Sequence, residues 1–315
     1  MHDLIQPMLH SGVTLTTGET IPPTTELLIT EHCSAEDLDH SVCLKWILFP
    51  CAGVPAPMRP VLASRTHLSA HNLHYNDISV SEHAIALLMA AKKHITPFDK
   101  HLRQGHWSSP SIDTSHGMLS GSKCLLLGYG AIGKRIAHVL DALGVITTVV
   151  KRNVDHDLPH PCVGPKSWLT LLPKTDILIC TLPATEETYQ MVDQAAFAAL
   201  PTHAVFINVG RASCVDEQAL YQALRSKSIG AAGIDVWWNY PPSFPYDNKN
   251  DHPPPCFPSK HPYHELENLV MTPHRGSDYR METLQHRLRN LIVERINQAA
   301  EGIPLPNKVS VKHGY

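Results

Sequence analysis

The sequence predicts a two-domain α/β protein built around a doubly wound, Rossmann-like parallel sheet. Three observations carry this. The chain has 315 residues, more than one ordinary domain and fewer than three. From Lys123 onward, short and wholly apolar runs alternate with stretches of helical periodicity, the pattern of a parallel sheet covered on both faces. The first of those runs ends in a glycine-rich turn that opens a helix.

The elements follow in order. Residues 26–30 and 44–49 are short, largely apolar runs, each followed by polar or Gly/Pro punctuation, so both are read as buried strands. Over 79–103, Ala84, Leu87, Leu88, Ala91, Ile95 and Phe98 recur at helical spacing, and Pro97 marks a break or kink. The first crossing between domains is placed at the end of this helix. Strands are then expected at 125–128, 146–151, 177–182, 204–209, 230–236 and 269–272, and helices at 131–143, 194–200 and 216–226. A last helix runs from just after Tyr279 to about Ala300, where Gly302 and two prolines stop it. It is expected to return to the first domain. This gives a discontinuous domain, 1–94 with 279–315, and a dinucleotide-binding domain at 95–278. Between Pro241 and Pro262 prolines punctuate a polar stretch; they donate to no ladder, so this is a loop, either a lid or irregular surface.

Composition bounds the function. Hydrophobic residues at 43% against 17% charged describe a globular chain with a sizeable core. A net charge of -3 supplies no pull toward nucleic acid or an anionic membrane, and neither is an expected partner. No apolar run approaches the ~20 residues of a bilayer span, and Met1-His2-Asp3-Leu4 lacks the basic start of a signal peptide. Eight cysteines form no C-x-x-C pair, and several sit inside apolar runs, which fits reduced thiols in the cytoplasm. The 22 histidines are scattered without zinc-site spacing, so no metal is expected.

Gly128-Tyr129-Gly130-Ala131-Ile132-Gly133 is G-x-G-x-x-G between a strand and a helix, the context that makes this motif specific. Gly128 permits the tight turn, Gly130 lets a pyrophosphate approach, and Gly133 lets helix and strand pack closely. Ala131 and Ile132 begin the helix whose free N–H groups and dipole face the phosphates. Enzymes using NAD place an acid about twenty residues further on. Here the second strand ends Val150-Lys151-Arg152-Asn153. Two cations suit the 2′-phosphate of NADP, so NADP(H) is preferred and NAD(H) remains possible. An exposed basic turn is the alternative.

Two further residues stand at expected strand ends. Asn208-Val209-Gly210-Arg211 closes one strand with a cation, and Thr272-Pro273-His274 closes another with an imidazole. In an open parallel sheet, ligands sit at the carboxyl ends of strands. An arginine there binds a carboxylate and polarises a carbonyl, and a histidine exchanges a proton. On spacing alone, each has a bland alternative: a salt-bridging arginine, and a histidine satisfied by backbone.

Taken with these motifs, Ala52-Gly53-Val54, Ser79-Val80-Ser81-Glu82-His83, Thr181-Leu182-Pro183 with Glu187-Thr188, Val215-Asp216-Glu217 and Gly233-Ile234-Asp235-Val236 make an ordered set across most of the chain. In this set the chain resembles the D-isomer-specific 2-hydroxyacid dehydrogenase family. The resemblance implies a Rossmann-like cofactor domain inserted into a smaller flavodoxin-like substrate domain, an active site in the cleft between them, and a homodimer. It implies that Arg211 orients the substrate and that His274 is the acid/base. Asp235 would hold the nicotinamide carboxamide, with Leu182, Pro183, Thr188, Val209 and Gly276 also beside the cofactor. Ala52, Gly53, Val54 and Asn76 would receive the substrate carboxylate. The substrate would be a small 2-keto or 2-hydroxy acid such as glyoxylate or hydroxypyruvate.

One position departs from the pattern. The family places a Glu five residues after the strand aspartate, where it pairs with the histidine and raises its pKa. This chain has Tyr240, and a phenol is neutral at physiological pH. Formate dehydrogenases, which resemble the family, carry a neutral Gln there and need no proton transfer. Three readings follow: Tyr240 hydrogen-bonds the imidazole in place of the Glu; an acid from the proline-rich loop moves in; or the reaction is not an ordinary 2-keto acid reduction. If catalysis works without the carboxylate, His274 is expected to titrate lower than in ordinary relatives. Besides the reductase, a nucleotide-sensing regulator that has lost the His–Glu pair and a formate-type dehydrogenase stay open.

Overall fold

The computed structural model describes residues 2–18, 20–51, 53–107, 117–242, 254–277 and 281–315. The chain divides into two units, Met1–Asn76 with Asp278–Tyr315, and Asp77–Ser277.

The smaller unit holds a three-stranded parallel sheet, β1 (Leu27–Ile29), β2 (Trp46–Phe49) and β3 (Ser69–Asn72), in that order. β2 is central, and Ile47, Leu48 and Phe49 are wholly buried. One face packs Ile47 and Phe49 with Leu38, Met58, Leu62 and Val309. A second cluster joins Leu73 and Ile5 to Ile292, Val293 and Ile296 of the helix Glu282–Ala300. The short helix Ala35–His40 begins with a capping box: Ser34 Oγ accepts from the Asp37 N–H at 3.0 Å, and the Asp37 carboxylate accepts from the Ser34 N–H at 2.9 Å.

The larger unit is a seven-stranded parallel sheet. Its strands are β4 (Lys123–Leu127), β5 (Ile146–Val150), β6 (Cys162–Val163), β7 (Ile177–Cys180), β8 (Val205–Asn208), β9 (Ala231–Ile234) and β10 (Leu269–Met271), ordered β10-β9-β8-β7-β4-β5-β6. The order reverses between β4 and β7, where a doubly wound sheet opens a crevice at its carboxyl edge. The continuous apolar runs have a direct cause. Along β7, Ile177 and Ile179 enter the core on one face, and Leu178 and Cys180 enter the core on the other. The two-residue β6 lay below what periodicity detects.

The helix Asp77–Lys92 belongs to this unit, so the first boundary falls at 76/77 and not at 94/95. Its apolar positions Ala84, Leu87, Leu88 and Ala91 join the same core as Leu126, Ile179 and Ile207, and each buried leucine contributes roughly 1.5–3 kcal/mol. Gly233 on β9 permits that approach, since a Cβ there would stand 2.9 Å from Leu87 Cβ. The single helix expected over 79–103 is two helices. It breaks where His94 takes a left-handed backbone (φ 50), and a second helix, Ile95–Leu102, follows. Pro97 lies in the first turn of that second helix, where a missing N–H leaves no intrahelical bond unmade, so it is not the breaking point. Among the described residues no helix is long and apolar enough to cross a membrane.

Candidate active site

The glycine turn leaves the carboxyl end of β4 and enters the helix Ala131–Ala142, with Gly130 as its N-cap. Gly128 has φ 97, and a Cβ on it would stand 2.7 Å from Thr181 Oγ1. A Cβ on Gly133 would run into the Gly128 carbonyl oxygen. Around Gly130, by contrast, a Cβ would meet no protein atom within 4 Å. The backbone is therefore tight where helix and strand meet and open where a pyrophosphate approaches. Ala131 and Ile132 supply the first helical N–H groups. These residues fit a dinucleotide. Tyr129 adds a feature the motif does not encode. Its hydroxyl lies 3.0 Å from His160 Nδ1, whose Nε2 lies 2.9 Å from Asp141, tying the turn and its helix to the loop before β6.

The two cations after β5 are in place, each with an acid. Lys151 Nζ lies 3.3 Å from Asp155, and Arg152 Nε lies 3.0 Å from Glu187. After β7, Leu182 and Pro183 cross over Gly210, where a Cβ would stand 2.6 Å from the Leu182 carbonyl oxygen. The Thr188 hydroxyl donates to the Pro183 carbonyl at 2.6 Å and closes that loop. Val209 is buried and donates its N–H to the Cys180 carbonyl. Asn208 Oδ1 accepts from the Gly210 N–H at 3.1 Å, and Asn208 Nδ2 donates to the Arg211 carbonyl at 3.3 Å. This side chain shapes the turn that presents Arg211, which is half-buried and donates from Nη1 to the Gly210 carbonyl at 2.8 Å.

His274 follows β10 with a left-handed backbone (φ 55), a conformation that costs a non-glycine residue roughly 1–2 kcal/mol. Asp235, at the end of β9 and 2% exposed, holds the turn in that shape. Its carboxylate accepts from the Thr272 hydroxyl at 2.6 Å and from the N–H groups of Arg275 at 2.7 Å and Gly276 at 2.9 Å. His83 Nε2 lies 3.3 Å from the same carboxylate and 2.9 Å from Thr272 Oγ1. Burial pushes the Asp235 pKa up, but these donors together outweigh it and hold the carboxyl below its ordinary range. The oxygens that the resemblance assigns to a carboxamide thus also anchor the His274 turn.

Tyr240 stands where the resemblance expects a Glu, with its hydroxyl 2.9 Å from His274 Nδ1. The Trp237 N–H donates to the same phenol oxygen at 3.0 Å. Burial, with the Asp235 charge, holds the Tyr240 pKa above its ordinary value against the pull of the Trp237 N–H and the Arg211 charge. Burial lowers the His274 pKa; Asp235 opposes this and Arg211 adds to it. This is the direction expected for a histidine without the family's carboxylate. Arg211, Tyr240 and His274, brought from the ends of β8, β9 and β10, therefore act on one another. Trp237 is buried and donates from Nε1 to the Thr272 carbonyl at 2.8 Å, and Trp238 stacks on Tyr263, so both indoles pack the core beside the site.

The other expected residues belong to the smaller unit. Gly53 and Val54 are in the smaller unit, where the Val54 N–H donates to the Gly314 carbonyl at 2.9 Å. Asn76 ends that unit's first segment. Ala52 lies outside the described residues, as do residues 243–253 of the proline-rich loop and any acid they would bring. The far end of that loop is pinned by the Asn239 N–H and side chain on the Pro258 and Phe257 carbonyls.

Residues 85–276 match the family model described as "D-isomer specific 2-hydroxyacid dehydrogenase, NAD binding domain". D-3-phosphoglycerate dehydrogenase of Archaeoglobus fulgidus is 29% identical over 238 residues, 75% of this chain and 41% of that protein. Glyoxylate reductase of Thermofilum pendens is 28% identical over 272 residues, 84% of this chain and 76% of that protein. The chain thus spans less than half the length of the first of these relatives. A D-isomer specific 2-hydroxyacid dehydrogenase of Xanthobacter autotrophicus, solved with NADPH and MES, superposes with a TM-score of 0.73 at 22% identity over 98% of this chain and 90% of that one. With a tight glycine turn at one strand end, a paired histidine at another, and a match over most of its larger unit, the chain belongs to the D-isomer specific 2-hydroxyacid dehydrogenase family and carries that family's NAD-binding domain.

Proposed function

We propose that this protein is an NADP(H)-dependent reductase of small 2-keto acids such as glyoxylate or hydroxypyruvate. The observation that carries the reading is the Tyr240–His274 hydrogen bond at 2.9 Å beside the charge of Arg211. The nicotinamide, when bound, supplies the hydride. Gly128, Gly130, Gly133 and the first N–H groups of the following helix would hold its pyrophosphate. Arg211 holds the substrate carboxylate and polarises the carbonyl beside it.

The protonation follows from the hydrogen bonds. The phenol oxygen accepts from the Trp237 N–H, which directs the phenol proton to His274 Nδ1. Neutral His274 then carries its own proton on Nε2. As charge develops on the substrate oxygen, Nε2–H passes to it and Nδ1 takes the proton of Tyr240. The imidazole need not become a cation, which suits a half-buried histidine held below its ordinary pKa. Burial holds the phenol pKa above its ordinary value, so the tyrosinate is transient, steadied by the Trp237 N–H and the Arg211 charge and reprotonated from solvent as product leaves. This pairing supports the enzyme over a regulator with a broken catalytic pair. By the resemblance, Gly53, Val54 and Asn76 are assigned to the substrate carboxylate, and a homodimer is the expected assembly.

For the cofactor, Lys151 and Arg152 support NADP(H). Their acid partners form partly exposed pairs, worth about 0–1 kcal/mol each, which a 2′-phosphate would displace. The test is initial rates with NADPH and NADH across a panel of 2-keto acids, on wild type and Arg152→Ala. NADPH dominance that shrinks at least tenfold in the variant is expected. NADH dominance in the wild type would refute the basic pocket and keep the enzyme; binding of both without turnover on any panel member would refute the enzyme.

A further inference from the structure

The amino edge of the large sheet, opposite the glycine turn, holds a cavity of roughly 510 Å³. Its walls come from residues that precede or begin β8, β9 and β10 and from the last turns of the helices Asp77–Lys92 and Glu217–Arg225. Because every strand of this sheet runs parallel, the cavity and the candidate active site lie at opposite edges. That volume suits a small organic ligand.

Lys92 lines it and is only 7% exposed. Among the described residues, no hydrogen bond or ion pair engages its ammonium. The carboxylate nearest in effect, Asp176, is held instead by the Lys123 N–H at 2.7 Å and by His203 at 2.7 Å. Burial holds the Lys92 pKa below its ordinary value. The Lys92 stem is buried, while its ammonium opens onto the cavity. Its place in the last turn of its helix complements the helix dipole, and the cavity beside it leaves the same charge open to an anion.

The mouth adds to this. Arg225 and Lys227 are exposed, line the cavity and form no ion pair among the described residues. Lys227 has φ 57 just past the end of its helix, a position that favours glycine. Against these three cations stand two exposed acids, Glu265 and Glu267. Val205, Leu224 and Ala231 give the cavity an apolar wall.

We propose that this cavity is a second ligand site, binding a small organic anion with its carboxylate or phosphate on Lys92 and its apolar body on Val205, Leu224 and Ala231. The test titrates the full chain, with and without saturating NADP+, using inorganic phosphate, acetate, hexanoate and benzoate. Binding is followed by calorimetry and thermal melting. Saturable binding in both conditions is expected, with hexanoate or benzoate at least tenfold tighter than acetate because of the apolar wall. Lys92→Met should lose at least tenfold in affinity. The exposed pair of changes Arg225→Gln with Lys227→Gln should weaken binding several-fold without moving the melting temperature, and decides the matter should Lys92→Met not fold. Absence of saturable binding in the wild type, or an equal response in both sets of variants, would overturn the proposal.

Discussion

Tyr240→Phe tests the proton path most directly. The substitution removes one oxygen and leaves the ring in place. It takes away the partner of the Trp237 N–H at 3.0 Å and that of His274 Nδ1 at 2.9 Å. Leaving a buried N–H unsatisfied costs about 1–3 kcal/mol, so the melting temperature should fall by several degrees without loss of the fold. The kinetic effect should be larger. A positioned proton donor contributes roughly 10²- to 10⁴-fold, or about 2.7–5.4 kcal/mol at 1.36 kcal/mol per decade. That loss should appear in kcat for reduction, with KM and NADPH affinity near wild type, because Arg211 and the glycine turn are untouched. The assay is steady-state reduction of glyoxylate or hydroxypyruvate beside a calorimetric titration with NADPH. Tyr240→Glu is the companion: a carboxylate on Nδ1 should raise the His274 pKa, read by NMR, and restore much of the rate. If Tyr240→Phe keeps kcat within twofold of wild type, Tyr240 is packing and the relay is wrong.

Other outcomes follow from the same geometry. Arg211→Ala should lower kcat/KM by at least 10³-fold while cofactor binding persists; unchanged turnover would make Arg211 structural. Asp235→Asn sets an amide N–H against donors that now meet an oxygen, so we expect a loss of roughly 2–4 kcal/mol by thermal melts and a fall in kcat as the His274 turn relaxes. The wild type should also lose stability in acid in two windows. His274, with its pKa depressed in the fold, contributes stability that is present above the unfolded value of about 6.5 and is lost as pH falls through the folded value. Asp235, also depressed, contributes above about 3.9, and that is lost as pH falls lower still. Melts of His274→Gln and Asp235→Asn across pH 3–8 should each remove one window; an unchanged profile would contradict the assignment.

Local signals in the chain were enough to place the parallel sheet and the cofactor turn. A strand buried on both faces must be apolar throughout, and a G-x-G-x-x-G turn between strand and helix leaves little backbone freedom, so β4, β5, β7, β8 and the turn at Gly128–Gly133 were legible. The departure at Tyr240 was equally visible, because it is one side chain at one spacing. What the sequence left open was every contact between residues distant in the chain. The Lys123–Gly133 segment does not reveal that Tyr129 reaches His160, nor does 269–276 show Asp235 holding the His274 turn. The helix at 77–92 could not be assigned to a unit from its periodicity, which states that one face is buried but not against which core. The break at His94 in place of Pro97 has the same origin, since a proline in a first helical turn and one in a helix interior look alike until the helix start is known. The first of the three readings of Tyr240 needs the phenol to meet the imidazole, and the 2.9 Å contact with His274 exists only because the fold brings the ends of β9 and β10 together.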